Sequence, residues 1–594
     1  MFKSVLIKLK LYITEHKIVI ILSALMTFLV LSPVWSFPFM AGNSYKGINI
    51  AHFGSDAHLY LSRAREVFDG NKMGNLALRE WKEKQDEFFT YNEIILLTPL
   101  RWLGLADNVN IVNVYYFYNI VGIFAILLLI YHAVLQMSGD KRISIASAIF
   151  VVGGYQIVYN KNLFYNDFNI YGRTMFPYIA SLAFFIYFNL LIKAIKAPSF
   201  KKMFITGIWL GFLFYVYFFA WTFAFALNGS LFLYYLISKN WEKLFLVFKI
   251  SLIGILVGLY NLIKMVNFFS SEAGKQASYF HWASQGHTGI ISKIGSITFL
   301  LWLVFAYFKK GNLNIAIIFG LIAAAWVSLN QQILTGKYIQ VGHYYWYFIV
   351  PTSIIVSFYM LWEFVPNKNF RKIFIVSVIF LAFLNTVVGQ YRSILTTLEI
   401  KKYEQNYKPI IDELNKDKNP GVILTSDDQY AYLFTIYTPH NLFWHYSVSQ
   451  TDTSLDRFKD TLYIYMYLNL DARGDFKGYI DRVMIDNTIN NNFYKGMYQN
   501  IEGYASGLDY YKYTAKMNRN DEDILLGRQK MLNPLADAYN NLISVKNGPI
   551  NLIKKYGVNY IVWNKDFYPE WDLSFIEEKE EIISHNNIVL YRVK

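Results

Sequence analysis

The chain has no cysteine, which excludes a disulfide framework, a thiolate zinc site and a cysteine nucleophile. Charge is scarce as well: 16% of its 594 residues are Asp, Glu, Lys or Arg, where a soluble domain carries roughly a quarter. No internal repeat and no low-complexity linker interrupts it. What it has in abundance is apolar, 55% hydrophobic and 19% aromatic residues, too much for a soluble multidomain enzyme. The net charge of +14 raises the question of a nucleic-acid partner. Residues 1–390 carry 32 basic and 15 acidic side chains, whereas residues 391–594 carry 24 and 27. The whole excess lies among the apolar runs, where charge orients a membrane protein rather than binding a phosphate backbone, so no nucleic acid is expected.

A bilayer core of about 30 Å needs roughly 20 mostly apolar residues per helix. Such runs fall at about 18–36, 109–137, 143–159, 175–195, 244–267, 294–308, 312–330, 344–364 and 371–390. Residues 203–238 are apolar throughout, too long for one crossing and long enough for two short ones turning near Phe219 to Trp221. The expected fold is therefore a polytopic α-helical membrane protein of about 11 spans. One set of short connections holds Lys3, Lys8, Lys10, Lys17, Lys141, Arg142, Lys193, Lys196, Lys201, Lys202, Lys239, Lys243, Lys309, Lys310, Lys368, Arg371 and Lys372. The alternate set holds only Lys161, Arg173, Lys275, Lys293 and Lys337. The positive-inside rule places the first set and the N-terminus in the cytoplasm. Residues 1–36 show no small-x-small cleavage site after Leu31, so an uncleaved first span is favoured over a signal peptide.

Two large pieces then lie outside a plasma membrane: a loop over 37–108 within a membrane domain of 1–396, and a tail over 397–594. The tail reads as a mixed α/β domain, with strand-like runs at 421–427, 559–563 and 587–592 and polar helical stretches near 452–470 and 522–545. It contains no G-x-G-x-x-G, Walker, H-E-x-x-H or G-x-S-x-G pattern. Transporters commonly place ionisable groups within their spans. Here the spans are nearly free of acids, and Lys249, Lys264 and Glu363 sit near span ends, where snorkelling accounts for them. The polar groups cluster at the external mouth, which favours surface chemistry over conduction.

The stretch from Gly54 to Gly70, GSDAHLYLSRAREVFDG, is the most informative. Ala57, Tyr60, Leu61, Ala64, Val67 and Phe68 recur at three- and four-residue spacing, predicting an amphipathic helix at the interface with Asp56 at its start and Gly70 at its end. Two readings of Asp56 are open, a helix N-cap shared with Ser55 or a catalytic acid. His52, Asp56 and His58 together also raise a metal cluster, although no third loop supplies an obvious partner.

An acid some twenty positions after the first span, heading a helix of the form D-x-x-x-Y-x-x-x-A-x-x-x-x-x-G (Asp56, Tyr60, Ala64, Gly70), resembles the first external loop of GT-C superfamily glycosyltransferases. These include protein O-mannosyltransferases, lipid A aminoarabinose transferases and oligosaccharyltransferase catalytic subunits. The many-span body, a second external loop with an acid and an arginine, and the external tail agree with that plan. The resemblance implies transfer of a sugar from a polyprenyl-phosphate carrier to a glycan, lipid or protein acceptor, with inversion at the anomeric carbon. Asp56 becomes the base for the acceptor hydroxyl, since a partly desolvated carboxylate can be raised towards a useful range. Cationic groups at the mouth would stabilise the leaving phosphate: Arg173 first, then Lys337 and His343. The family has a basic residue followed by a Tyr and a span-opening Pro there; Pro351 comes late, so the place is shared between Lys337 and His343. Asp167 is either a turn cap or a second acid near the donor, and Arg173 and Lys337 either act on phosphate or anchor spans in headgroups. The aromatic loop around His281 is either an interfacial belt or a cover over the donor, and Tyr60 is a substrate contact of the motif.

No cofactor is required, and a divalent metal is left open, because it assists the oligosaccharyltransferase relatives only. The W-W-D-Y-G signature of those relatives is missing from the tail, which argues against sequon glycosylation. The alternatives to sugar transfer are a polymerase or ligase of lipid-linked glycans and a non-catalytic export or scaffold protein. Membrane lipids are partners in every case.

Overall fold

The computed structural model describes residues 2–50, 56–84, 89–106, 109–271, 284–312, 314–445, 453–485, 492–506, 516 and 521–594. In a bilayer the backbone must satisfy its own polar groups, and the apolar runs accordingly fold as helices. In chain order these are α1 (Phe2–Val30), α2 (Ser32–Ala41), α3 (Ala57–Asp69), α4 (Asn92–Trp102), α5 (Ile111–Ser138), α6 (Lys141–Gly153) and α7 (Tyr155–Asn160). They continue with α8 (Tyr178–Lys196), α9 (Phe200–Val216), α10 (Phe218–Ile237), α11 (Trp241–Phe269), α12 (Lys293–Phe308), α13 (Ile315–Leu329), α14 (Val350–Phe364) and α15 (Lys368–Glu404). Among the described residues 8 helical stretches are long and apolar enough to cross a membrane. The chain is a multi-pass helical membrane protein. The remaining expected segments fall on shorter helices, α6, α9 and α12, of 13, 17 and 16 residues. Helix α1 starts at Phe2 rather than near residue 18, and bends where His16 leaves helical geometry (φ −113°, ψ 17°).

The long apolar stretch does break in two. Tyr217 adopts an extended conformation between α9 and α10 (φ −165°, ψ 132°), two residues ahead of the expected turn. The chain folds back on itself there, since the rings of Phe214 and Phe225 lie 5.7 Å apart. Helix α9 is held against α11 through reciprocal glycine pairs. A Cβ on Gly207 or Gly211 would collide with Ile253 or Val257, and one on Gly254 or Gly258 with Leu210 or Phe214. Two G-x-x-x-G faces thus bring the backbones together, the packing that replaces the hydrophobic effect between helices in lipid.

The tail carries five strands: β1 (Val422–Thr425), β2 (Asn441–Leu442), β3 (Val558–Asn564), β4 (Lys579–His585) and β5 (Ile588–Val593). Their order is β2-β1-β3-β5-β4, parallel across β2-β1-β3 and antiparallel across β3-β5-β4. Every residue of β1 is buried, as befits a strand covered on both faces. The three expected strand runs correspond to β1, β3 and β5, and the polar helical stretches to Leu455–Leu468 and Glu522–Ser544. Helix α15, 37 residues long, passes unbroken from the membrane body into the tail. Just beyond it the Gln405 amide receives the backbone N–H groups of Lys46 (3.0 Å) and Ile48 (3.2 Å) and donates to the Ile48 carbonyl (2.8 Å). The first long loop is thereby clamped between body and tail.

Candidate functional site

Asp56 stands at the N-cap position of α3 without capping it: its side chain accepts no helix N–H. Instead its Oδ2 accepts a hydrogen bond from Nη2 of Arg173 at 3.0 Å, across 117 residues of chain. Of the two candidate caps, Asp56 does not serve as one, and Ser55 lies outside the described residues. The Asp56 side chain is 55% exposed and that of Arg173 20%, so the pair faces an opening.

Buried amides fix Arg173. The chain reaches it through a 3-10 turn, Ile170–Gly172, initiated by the Asn169 side chain, which accepts the N–H of Tyr171. The Asn169 backbone N–H donates to Oε1 of Gln390 (2.9 Å) and its Nδ2 to the Val152 carbonyl (2.9 Å). Gln156 donates to the Phe168 carbonyl (2.9 Å) and Asn119 to that of Gly172 (3.1 Å). Four amide side chains in apolar surroundings hold one loop, and each bond is hard to break because a buried, unpaired amide is costly.

Helix α3 is oriented by a second arginine. Arg63 Nε donates to Glu93 Oε1 at 2.6 Å and Nη2 to Thr90 Oγ1 at 2.9 Å, with both charged side chains 1% exposed. This ties α3 to α4. The N-terminal end of α4 is pinned in turn to the α9–α10 turn, through Asn92 to the Val216 carbonyl (2.8 Å) and Tyr91 N–H to that of Tyr215 (2.9 Å). Helix α3 is enclosed by protein, with nine of its thirteen residues buried. Its other face is covered by the tail, where Ser62 and Thr435 share a hydrogen bond at 2.7 Å.

Aromatic rings continue the wall from Asp56. Tyr60, one turn along α3, meets the edge of Phe176 at 5.1 Å, and Phe176 stacks on Tyr217 at 4.2 Å. The Tyr217 hydroxyl hydrogen-bonds Nδ1 of His343 at 2.8 Å, and the His343 ring lies 5.5 Å from both Trp346 and Tyr347. His343 and Tyr347 are within electrostatic range of Asp56 and Arg173. Removal from water and the Asp56 carboxylate hold the Tyr60 phenol well above its ordinary value, so it stays a neutral donor.

Asp56, Tyr60, Arg173 and His343 therefore share one site. Asp167 belongs to its edge: neighbouring protein strips water from its carboxyl and pushes it above the usual range, partly offset by the Phe168 N–H and the charge of Arg173. Lys337 is exposed on a two-residue strand paired with Ser284–Gln285. His281 and His52 fall outside the described residues. His58 turns to the tail, its ring 5.5 Å from Tyr432 and 5.7 Å from His445. Among the described residues no three His, Asp or Glu side chains converge as a metal site would require, and no step is derived through a metal. Sequence reasoning missed Phe176, Tyr217, Tyr347 and the Arg63–Glu93 pair. The available signal was a set of polar groups, Asn119, Gln156, Tyr217 and Gln390, inside otherwise apolar runs.

No protein-family profile matches the chain, and no curated protein matches it in sequence. Solved structures of ArnT and of the oligosaccharyltransferase AglB align with it. Apo ArnT from Cupriavidus metallidurans aligns over 95% of this chain and 97% of its own at 9% identity, with a TM-score of 0.47. ArnT from the same organism bound to undecaprenyl phosphate aligns over 70% and 85% at 10% identity (TM-score 0.44). The oligosaccharyltransferase AglB from Archaeoglobus fulgidus, in complex with an inhibitory peptide and a dolichol-phosphate, aligns over 93% and 69% at 10% identity (TM-score 0.45). At these scores the likeness establishes no residue correspondence.

Proposed function

We propose that the protein is an inverting glycosyltransferase that moves a sugar from a polyprenyl-phosphate carrier to a hydroxyl of an envelope glycan, lipid or protein. The reaction takes place at the external membrane face, with the N-terminus cytoplasmic and the tail extracytoplasmic. The observation that carries this reading is the Asp56–Arg173 contact, a carboxylate and a guanidinium side by side on two loops of the membrane body. Asp56 accepts the proton of the acceptor hydroxyl as that oxygen bonds to the anomeric carbon from the face opposite the carrier. The bond from the anomeric carbon to the phosphate oxygen breaks, its electron pair stays on the phosphate, and Arg173 stabilises the charge that develops. The hydroxyl and imidazole groups of Tyr60, Tyr217 and His343, with their ring faces, suit a sugar held between them.

Asp56→Asn tests the base. Transfer from a polyprenyl-phosphate sugar should fall by about 10²- to 10⁴-fold while the protein still inserts and keeps its melting temperature. Undiminished product would remove Asp56 as the base. Orientation has its own test, because the chain holds no cysteine. A cysteine at exposed Lys418 should react with a membrane-impermeant thiol reagent on intact cells, and one at exposed Lys201 should not; the reverse pattern would overturn the topology.

A further inference from the structure

We propose that Asp56 restrains Arg173 while the site is empty, and that a phosphate carried on a membrane lipid binds by taking the guanidinium from it. Resting on the reading of Asp56 and Arg173 above, this adds an order of events in which the donor frees the base. The contact is a single one: Nη2 to Oδ2 at 3.0 Å. Among the described residues Asp56 is the one side-chain hydrogen-bond partner of Arg173, so most of the guanidinium's five donors are uncommitted. Both side chains reach the opening, the acid more than the arginine.

A one-point ion pair in contact with water is weak, whereas a guanidinium binds a phosphate through two parallel bonds. The Arg173 backbone is held by the Asn169, Asn119 and Gln156 contacts, so the side chain can change partner while its loop stays in place. A phosphate that takes Nη2 as part of its two-point bond competes with the Asp56 carboxylate for that donor, and the two anions repel each other. An arriving phosphate therefore expels Asp56 and leaves its oxygen free for the acceptor proton.

The test is the binding of undecaprenyl phosphate, a carrier without sugar, to the full-length protein in lipid nanodiscs. Asp56→Asn and Asp56→Ala should bind it about two- to fivefold more tightly than the wild type, as removal of a competing exposed ion pair requires. Arg173→Gln should bind it more weakly, and Asp56→Asn added to Arg173→Gln should bring no gain. Unchanged or weaker binding by both Asp56 variants overturns the exchange. So does an equal gain in the Arg173→Gln background, which would reduce Asp56 to a general repulsion of anions. Inorganic phosphate forms the second arm: competition with the lipid at equal concentration overturns the membrane lipid as the source. Failure of the base reading is separate, since it shows as retained sugar transfer by Asp56→Asn whatever the affinities are.

Discussion

Two arginine–carboxylate pairs share helix α3 or its start and differ in almost everything else. Arg63–Glu93 is sealed, with both side chains 1% exposed, a contact at 2.6 Å and a further donor bond to Thr90. Asp56–Arg173 is open, single and longer, at 3.0 Å, with the acid 55% exposed. A sealed pair recovers its desolvation cost only through complete hydrogen bonding, and it cannot be given up without leaving a bare charge inside. An open pair costs little to make and little to break. The first is suited to holding α3 in one orientation and the second to exchanging partners, so burial assigns their work more clearly than residue type does.

Glu93→Gln is the sharpest way to break the contrast. It leaves the Arg63 charge buried without its counter-ion and should lower stability by about 3–5 kcal/mol, read as a large drop in melting temperature in detergent. Asp56→Asn should leave that temperature unchanged. Equal drops would mean that both pairs are structural.

Tyr217→Phe removes a hydroxyl from the open side only. The lost bond to His343 is worth about 1 kcal/mol of stability, so the melting temperature should fall slightly while sugar transfer falls several-fold. A change confined to stability would move Tyr217 into the frame.

The smallest effect concerns Asp167. Its carboxyl is raised in the folded protein by loss of water, so between its unfolded and folded values the native state holds the extra proton. Stability is fully present below the ordinary carboxylate range and declines as pH rises through the raised folded value. Asp167→Asn should flatten the fall in melting temperature from mildly acid to neutral pH. An unaltered slope would show that the carboxyl does not titrate there.

What could be read from the sequence followed the range of the interactions involved. Apolar runs and strand runs depend on neighbours in the chain, and α5, α8, β3 and β5 fall close to where their residues predicted. The 3- and 4-residue spacing after Asp56 gave α3, and Gly70 ends it in a left-handed conformation (φ 88°). That spacing reveals that a face is covered but not by what, so the tail's cover over α3 was invisible. The Asp56–Arg173 contact spans 117 residues. Each residue could be named from its loop, but their meeting could not. Glu93 stayed hidden for the opposite reason: an acid in a long loop reads as solvated, and only a partner thirty residues away in Arg63 allows its burial.

Helix α15 has a mechanical consequence. At about 1.5 Å per residue its 37 residues form a strut some 55 Å long. Gln390, which holds Asn169 and so the turn before Arg173, lies on that strut about 20 Å short of the end that meets the tail. A helix transmits load along its axis with little internal slip. Through Gln390 the arginine loop and the tail are thus attached to one continuous rod.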